Sequence, residues 1–169
     1  MSTPVLSDYD IDSDAFNLRD ALDKVLEVLV SVYESHGVPL PARRYWTMGQ
    51  PVVDCEQAVV SFINLYLGGP GDEAAVPQRC NAIRSMVVTI EIARPVPTGS
   101  KSGAAPTAEQ IQSAAEWAAV DAWVLIDSME QFDDWGGLAR GPGVIATVDT
   151  PAPQGGFQTV RMQLTVAVP

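Results

Sequence analysis

Four aspartates at every second position, Asp8, Asp10, Asp12 and Asp14, form the densest set of potential metal ligands in the chain. A calcium loop uses such spacing because oxygens from alternate residues converge on one cation. It also needs Gly at its sixth position and Glu at its twelfth. Counted from Asp8 these positions hold Ser13 and Arg19; counted from Asp10 they hold Ala15 and Ala21. Neither frame fits. The stretch reads instead as an acidic arm that favours the positive end of the helix behind it.

A thiol nucleophile needs a base beside it. The only histidine is His36, and the cysteines are Cys55 and Cys80, with Asp54 as a conceivable orienting acid. No family signature surrounds either cysteine, and His36 is accounted for by its place one residue before Gly37, at a helix end. Gly99-Ser-Lys-Ser102 resembles the end of a phosphate loop but lacks the earlier glycine and the strand leading into it. GxSxG, HExxH and paired CxxC motifs are absent from the sequence. No catalytic, cofactor-binding or metal residue is therefore assigned. The stretch FDDWGGLARGPG (132–143) has an aromatic pair around two acids, followed by five glycines and prolines. It reads equally as a binding loop or as a helix end anchored by Phe132 and Trp135.

The elements that hold these residues follow from hydrophobic spacing. Leu18, Leu22, Val25, Leu26, Leu29 and Val32 form one helical stripe, with Ser13 or Asp14 as expected N-cap and Gly37 as the residue that ends the helix. Residues 42–55 read as a connection. Residues 56–69 and 85–97 read as an antiparallel strand pair with one solvated or interfacial face. In the second strand Met86, Val88, Ile90 and Ile92 face one way, and Val87, Thr89, Glu91 and Ala93 the other. Thr107 and Gln110 make a capping box for a second helix. Its stripe is Ile111, Ala115, Ala118, Ala122, Leu125 and Met129, and Trp117, Val120, Trp123, Val124 and Ile126 make much of the rest apolar. Residues 143–150 and 157–169 complete the chain as strands.

The expected fold is α+β: a small antiparallel or mixed β-sheet packed against two helices, in the order α-β-β-α-β-β. The domain reading is an acidic N-terminal arm over 1–12 and a single α+β domain over 13–169, with flexible loops at 68–82 and 95–106. The chain's 169 residues suffice to bury roughly 70% of the surface exposed on unfolding, so no disulfide or metal is needed to fold it. Ten Lys plus Arg face twenty-one Asp plus Glu, a formal net charge of −11. Nucleic-acid grip needs a basic footprint, and Arg43-Arg44 is too small to be one. The acidic excess serves solubility, or lets a polyanion pass without sticking. The opening residues lack a basic start and an apolar run, so no secretory leader is expected. No apolar run reaches about twenty residues, so no membrane partner is expected. Two cysteines do not make a disulfide framework, which suits a cytosolic origin.

The stretch YWTMGQPVVDCEQAVVSFINLYLG (45–68), followed by RCNAIRSMVVTIEIARPVP (79–97), resembles the tail terminator proteins of long-tailed, siphovirus-type phages of actinobacteria. The residues that carry the likeness are Gly49, Pro51, Asp54 and Cys55 before the first strand, then Arg94, Val96 and Pro97 closing the second. A leading helix, an Ala-rich helix with tryptophans and a C-terminal strand extend it over most of the chain. The resemblance implies a structural virion protein without cofactor or catalysis. It implies a homohexameric ring that caps the tail tube and joins it to the head-completion (stopper) protein. Duplex DNA passes through such a ring without sequence-specific binding. The implied place is the tail at the head–tail joint, after assembly in the host cytoplasm. The subunit interface is expected to include Phe132, Trp135, Trp123, Arg161 and Gln163. Within the same class the alternative is a head-completion or tail tube protein. Outside it stand a small Cys/His-dependent enzyme and a cytosolic module that binds a small molecule in an apolar pocket.

Overall fold

Helix α1 spans Leu18–Ser35. The computed structural model describes residues 17–71, 84–99, 104–129 and 144–168. The acidic arm, the Asp8–Asp14 series, Cys80, Phe132 and Trp135 lie outside the described residues. The N-cap of α1 is Asn17, not Ser13 or Asp14: its side-chain oxygen accepts from the backbone N–H of Arg19 and Asp20. At the other end Gly37 turns left-handed at φ +66°. Its N–H donates to Glu34 O, and that of Val38 to Tyr33 O, the paired bonds that satisfy a helix's last carbonyls.

The expected connection over 42–55 contains a strand, β1 (Arg43–Met48). This corrects the expected order to α-β-β-β-α-β-β. The missed strand is short and closed by prolines and Gly49, and it owes its conformation to a partner distant in sequence. It pairs in parallel with β2 (Gln57–Leu67), from Arg43 opposite Gln57 to Met48 opposite Phe62. β2 then pairs antiparallel with β3 (Arg84–Pro95), from Gln57 opposite Ala93 to Leu67 opposite Arg84, as the sequence led us to expect. After helix α2 (Ala108–Asp127) come β4 (Val144–Asp149) and β5 (Phe157–Val168). The sheet order is β1-β2-β3-β5-β4. β5 is therefore internal, and the edges are β1 and β4.

Both helices cover the same face. α1 lies over β1 and β2, and α2 over β3, β4 and β5. One cluster joins Leu22, Val25 and Leu29 of α1 and Val124 and Leu125 of α2 to Val60, Met86, Val88, Ile90, Met162 and Leu164 of the sheet. Truncating one of these large side chains to Ala costs about 2–5 kcal/mol, the lost transfer energy plus the cavity left behind.

The opposite face of the strand pair is not simply solvated. Val59, Ser61, Ser85, Val87, Thr89 and Ala93 are buried there. Part of the reason is the link between β1 and β2. Gly49 turns the chain at φ +76°, its N–H donating to Phe62 O. Pro51 and Val53 then border a cavity with Glu91, Thr159 and Arg161, so the link crosses the helix-free face. Ser61 Oγ is buried there without a hydrogen-bond partner among the described residues.

Candidate functional site

Arg94, near the end of β3, sits at the centre of the most extensive polar network among the described residues. Its Nε donates to Asp121 Oδ2 at 2.6 Å and its Nη2 to Asp121 Oδ1 at 2.9 Å. Nη2 also donates to Pro39 O at 2.8 Å, and Nη1 to Glu56 Oε1 at 3.1 Å. Tyr33 Oη of α1 donates to Asp121 Oδ1 at 3.1 Å. The guanidinium carbon lies 4.8 Å from the Trp117 ring centroid, a cation–π distance. Asp121 is 1% exposed and the Arg94 side chain 12%.

The electrostatics follow from that geometry. Burial pushes the Tyr33 phenol far above its ordinary range, and the Asp121 charge adds to the shift. Burial opposes the Arg94 charge, but its bonds and attraction to Asp121 more than offset that, so its pKa is raised. The arginine is thus held as a permanent cation between two acids, its donors largely spent on the protein itself.

Beside this network lies a cavity of about 470 Å³, bordered by Leu40, Pro41, Val96, Trp117, Ala118 and Val160. A groove of about 270 Å³ adjoins it, sharing Val96, Ala114 and Gln158. The walls are mainly apolar. Since Arg94 binds Asp121, Glu56 and Pro39, the arrangement acts as a clasp between β3, α2 and the segment leaving α1.

A second charged line crosses the helix-free face. Glu91 of β3 lies opposite Arg161 of β5, which lies opposite Asp149 of β4. Arg161 Nε and Nη2 donate to the two Asp149 carboxylate oxygens at 3.0 and 2.6 Å. That pairing holds the Asp149 carboxyl below its ordinary range and raises Arg161. Burial raises Glu91; Arg161 opposes the shift and Asp149 adds to it.

The suspected nucleophiles are differently engaged. His36 Nε2 lies 2.9 Å from Asp127 Oδ2, and its ring meets Trp123 edge-on at 4.8 Å. Cys55, a free thiol, accepts from Arg43 Nη1 at 2.9 Å, and the same nitrogen donates to Asp54 Oδ1 at 2.6 Å. The Cys55 bond, then Arg43, holds the Asp54 carboxyl below its ordinary range. His36 and Cys55 thus bond to different partners. Among the described residues, no group of three or more His, Cys, Asp or Glu side chains is arranged to hold a metal ion.

Of the residues expected at a subunit interface, Trp123 is exposed on α2, Gln163 is exposed on β5, and Arg161 is half-buried in its pair with Asp149. Phe132 and Trp135 lie outside the described residues. Sequence reasoning missed Asp121. An acid between Val120 and Ala122 in an apolar helix is a signal for a buried cation, and Arg94 is that cation. Neither known protein families nor curated proteins gave a match to this chain.

Proposed function

We propose that this chain is a structural subunit of a phage tail, of the tail terminator type, which closes into a six-fold ring at the head–tail joint. In this reading it caps the tail tube, meets the head-completion protein, and lets duplex DNA pass. The observation that carries the proposal is the outer surface of α2. Ile111, Trp123 and Ile126 are each more than half exposed on one helix, a cost in water that contact with another protein removes. The α+β architecture and the Arg94 clasp, which falls on a residue of the terminator-like motif, are compatible with it. A self-assembling role also accounts for a protein whose strongest polar network is bonded inward.

The test has two arms. Electron microscopy of the purified protein, or of virions labelled on this chain, is expected to find a six-fold ring at the head–tail joint. Deleting the gene is expected to leave filled heads without tails, and tails of uncontrolled length. Normal virions from a clean deletion would overturn the proposal.

A further inference from the structure

Among the described residues, the outer sides of β1 and β4 pair with no strand, and both strands are open edges. We infer that the β4 edge of one copy pairs with the β1 edge of the next, so that the sheet runs on from subunit to subunit. This rests on the ring reading above and names the contact that closes it.

Direction is fixed by topology. β2 runs with β1, β3 against it, β5 with it and β4 against it. Head-to-tail joining therefore makes an antiparallel β4–β1 pair. Each strand has six residues, so full overlap sets Arg43 opposite Asp149, Thr47 opposite Ile145 and Met48 opposite Val144. The pleat agrees with this register. Trp46 and Ala146, opposite each other, both pack against the helix-side core. The β1 end that begins Arg43-Arg44 meets the β4 end that carries Asp149, although within one chain Arg43 already bonds Asp54 and Asp149 already bonds Arg161.

The helices reinforce the joint. Asp23 accepts the Trp46 Nε1–H at 2.7 Å, so that flank of α1 overhangs the β1 edge. The same flank bears a shallow groove with Leu26 and Val30 at its apolar part and Asp23, Glu27 and Glu34 around it. α2 lies over β4, and the joint sets it beside the next copy's α1, where the exposed Ile126 can enter that groove.

Size decides which face lines the opening. Six five-stranded sheets at about 4.8 Å per strand make a circumference of about 140 Å, so the backbone ring is about 45 Å across. A helix layer, each helix about 10 Å thick, would fill most of that opening from inside. A six-fold ring that passes duplex DNA therefore puts the helices outside, and the helix-free face, with Glu91, Arg161, Asp149 and the β1–β2 link that crosses it, faces the bore.

The test is a disulfide between copies. In the full chain with Cys55→Ser and Cys80→Ser, Thr47→Cys and Ile145→Cys are introduced together. Within one chain these positions lie on opposite edges of five strands, about 19 Å apart, beyond the roughly 7 Å Cα separation a disulfide tolerates. Oxidation is expected to give a covalent ladder up to six chains on non-reducing gels, while either single variant gives none. Native mass spectrometry of the unoxidised protein supplies the second readout. A hexamer without the ladder overturns this pairing and leaves the ring reading standing. A covalent dimer of the Thr47→Cys variant alone shows a two-fold joint and also overturns it. A chain that stays monomeric in both readouts overturns the pairing and the ring together.

Discussion

Arg94 and Asp121 face each other through two parallel bonds of 2.6 and 2.9 Å, tying the end of the third strand to the middle of the second helix. Removing Asp121 leaves the mostly buried Arg94 cation with the half-exposed Glu56 as its remaining acid. Asp121→Ala is expected to cost about 3–5 kcal/mol, read as a shifted midpoint in urea unfolding. The double variant Arg94→Met/Asp121→Leu should cost clearly less than the two single losses summed. Strict additivity would show that the clasp is not a coupled pair.

His36 contacts an exposed acid and the edge of an exposed tryptophan. The His36 side chain is 20% exposed, but its acid partner, at 53%, is screened by water. His36→Ala is therefore expected to cost no more than about 1 kcal/mol and to leave assembly intact. Loss of all activity in a stably folded His36→Ala protein would favour a catalytic histidine over a structural one.

Much of this fold was legible because its signals are local. The strand over 84–94 alternates as a sheet requires, the one over 57–67 is rich in Val, Ile, Phe and Tyr, and Thr107 and Gln110 bond reciprocally as a capping box. What escaped depends on partners far along the chain. Arg43–Met48 becomes a strand through a parallel neighbour fourteen positions on. Nor does the sequence show that the last strand lies between the third and fourth; strand order is a property of the whole chain. In α2 the stripe was read through Ile111, which is exposed, while Asp121 and Ser128 are buried. The helix turns a partly polar face inward because Arg94 awaits it there.

Glu91 offers a pH test. Burial raises its folded-state pKa above the ordinary glutamate value. The folded chain then binds more protons than the unfolded one between the two values, so its contribution to stability falls as pH rises through that window. The penalty is complete above the folded pKa and absent below the unfolded one. Glu91→Gln is therefore expected to raise Tm at neutral pH, with the gain shrinking to nothing in acid. An equal gain at every pH would place its origin in packing.

Ile126 separates assembly from folding. The residue is 54% exposed on α2, so about half of its area stays in water within one chain. Ile126→Glu is then expected to change the stability of the monomer by no more than about 0.5 kcal/mol, as for other surface substitutions. In the joined ring the same position enters a groove flanked by Glu27 and Glu34 of the neighbouring first helix, where a new carboxylate meets both desolvation and like charge. Assembly measured by sedimentation should weaken at least tenfold, which corresponds to about 1.4 kcal/mol. Ile126→Lys should weaken it less, because the flanking acids partly compensate the cation. If both variants assemble like the parent, the outer flank of α2 is not at the joint. If both unfold, Ile126 supports the core more than its exposure indicates.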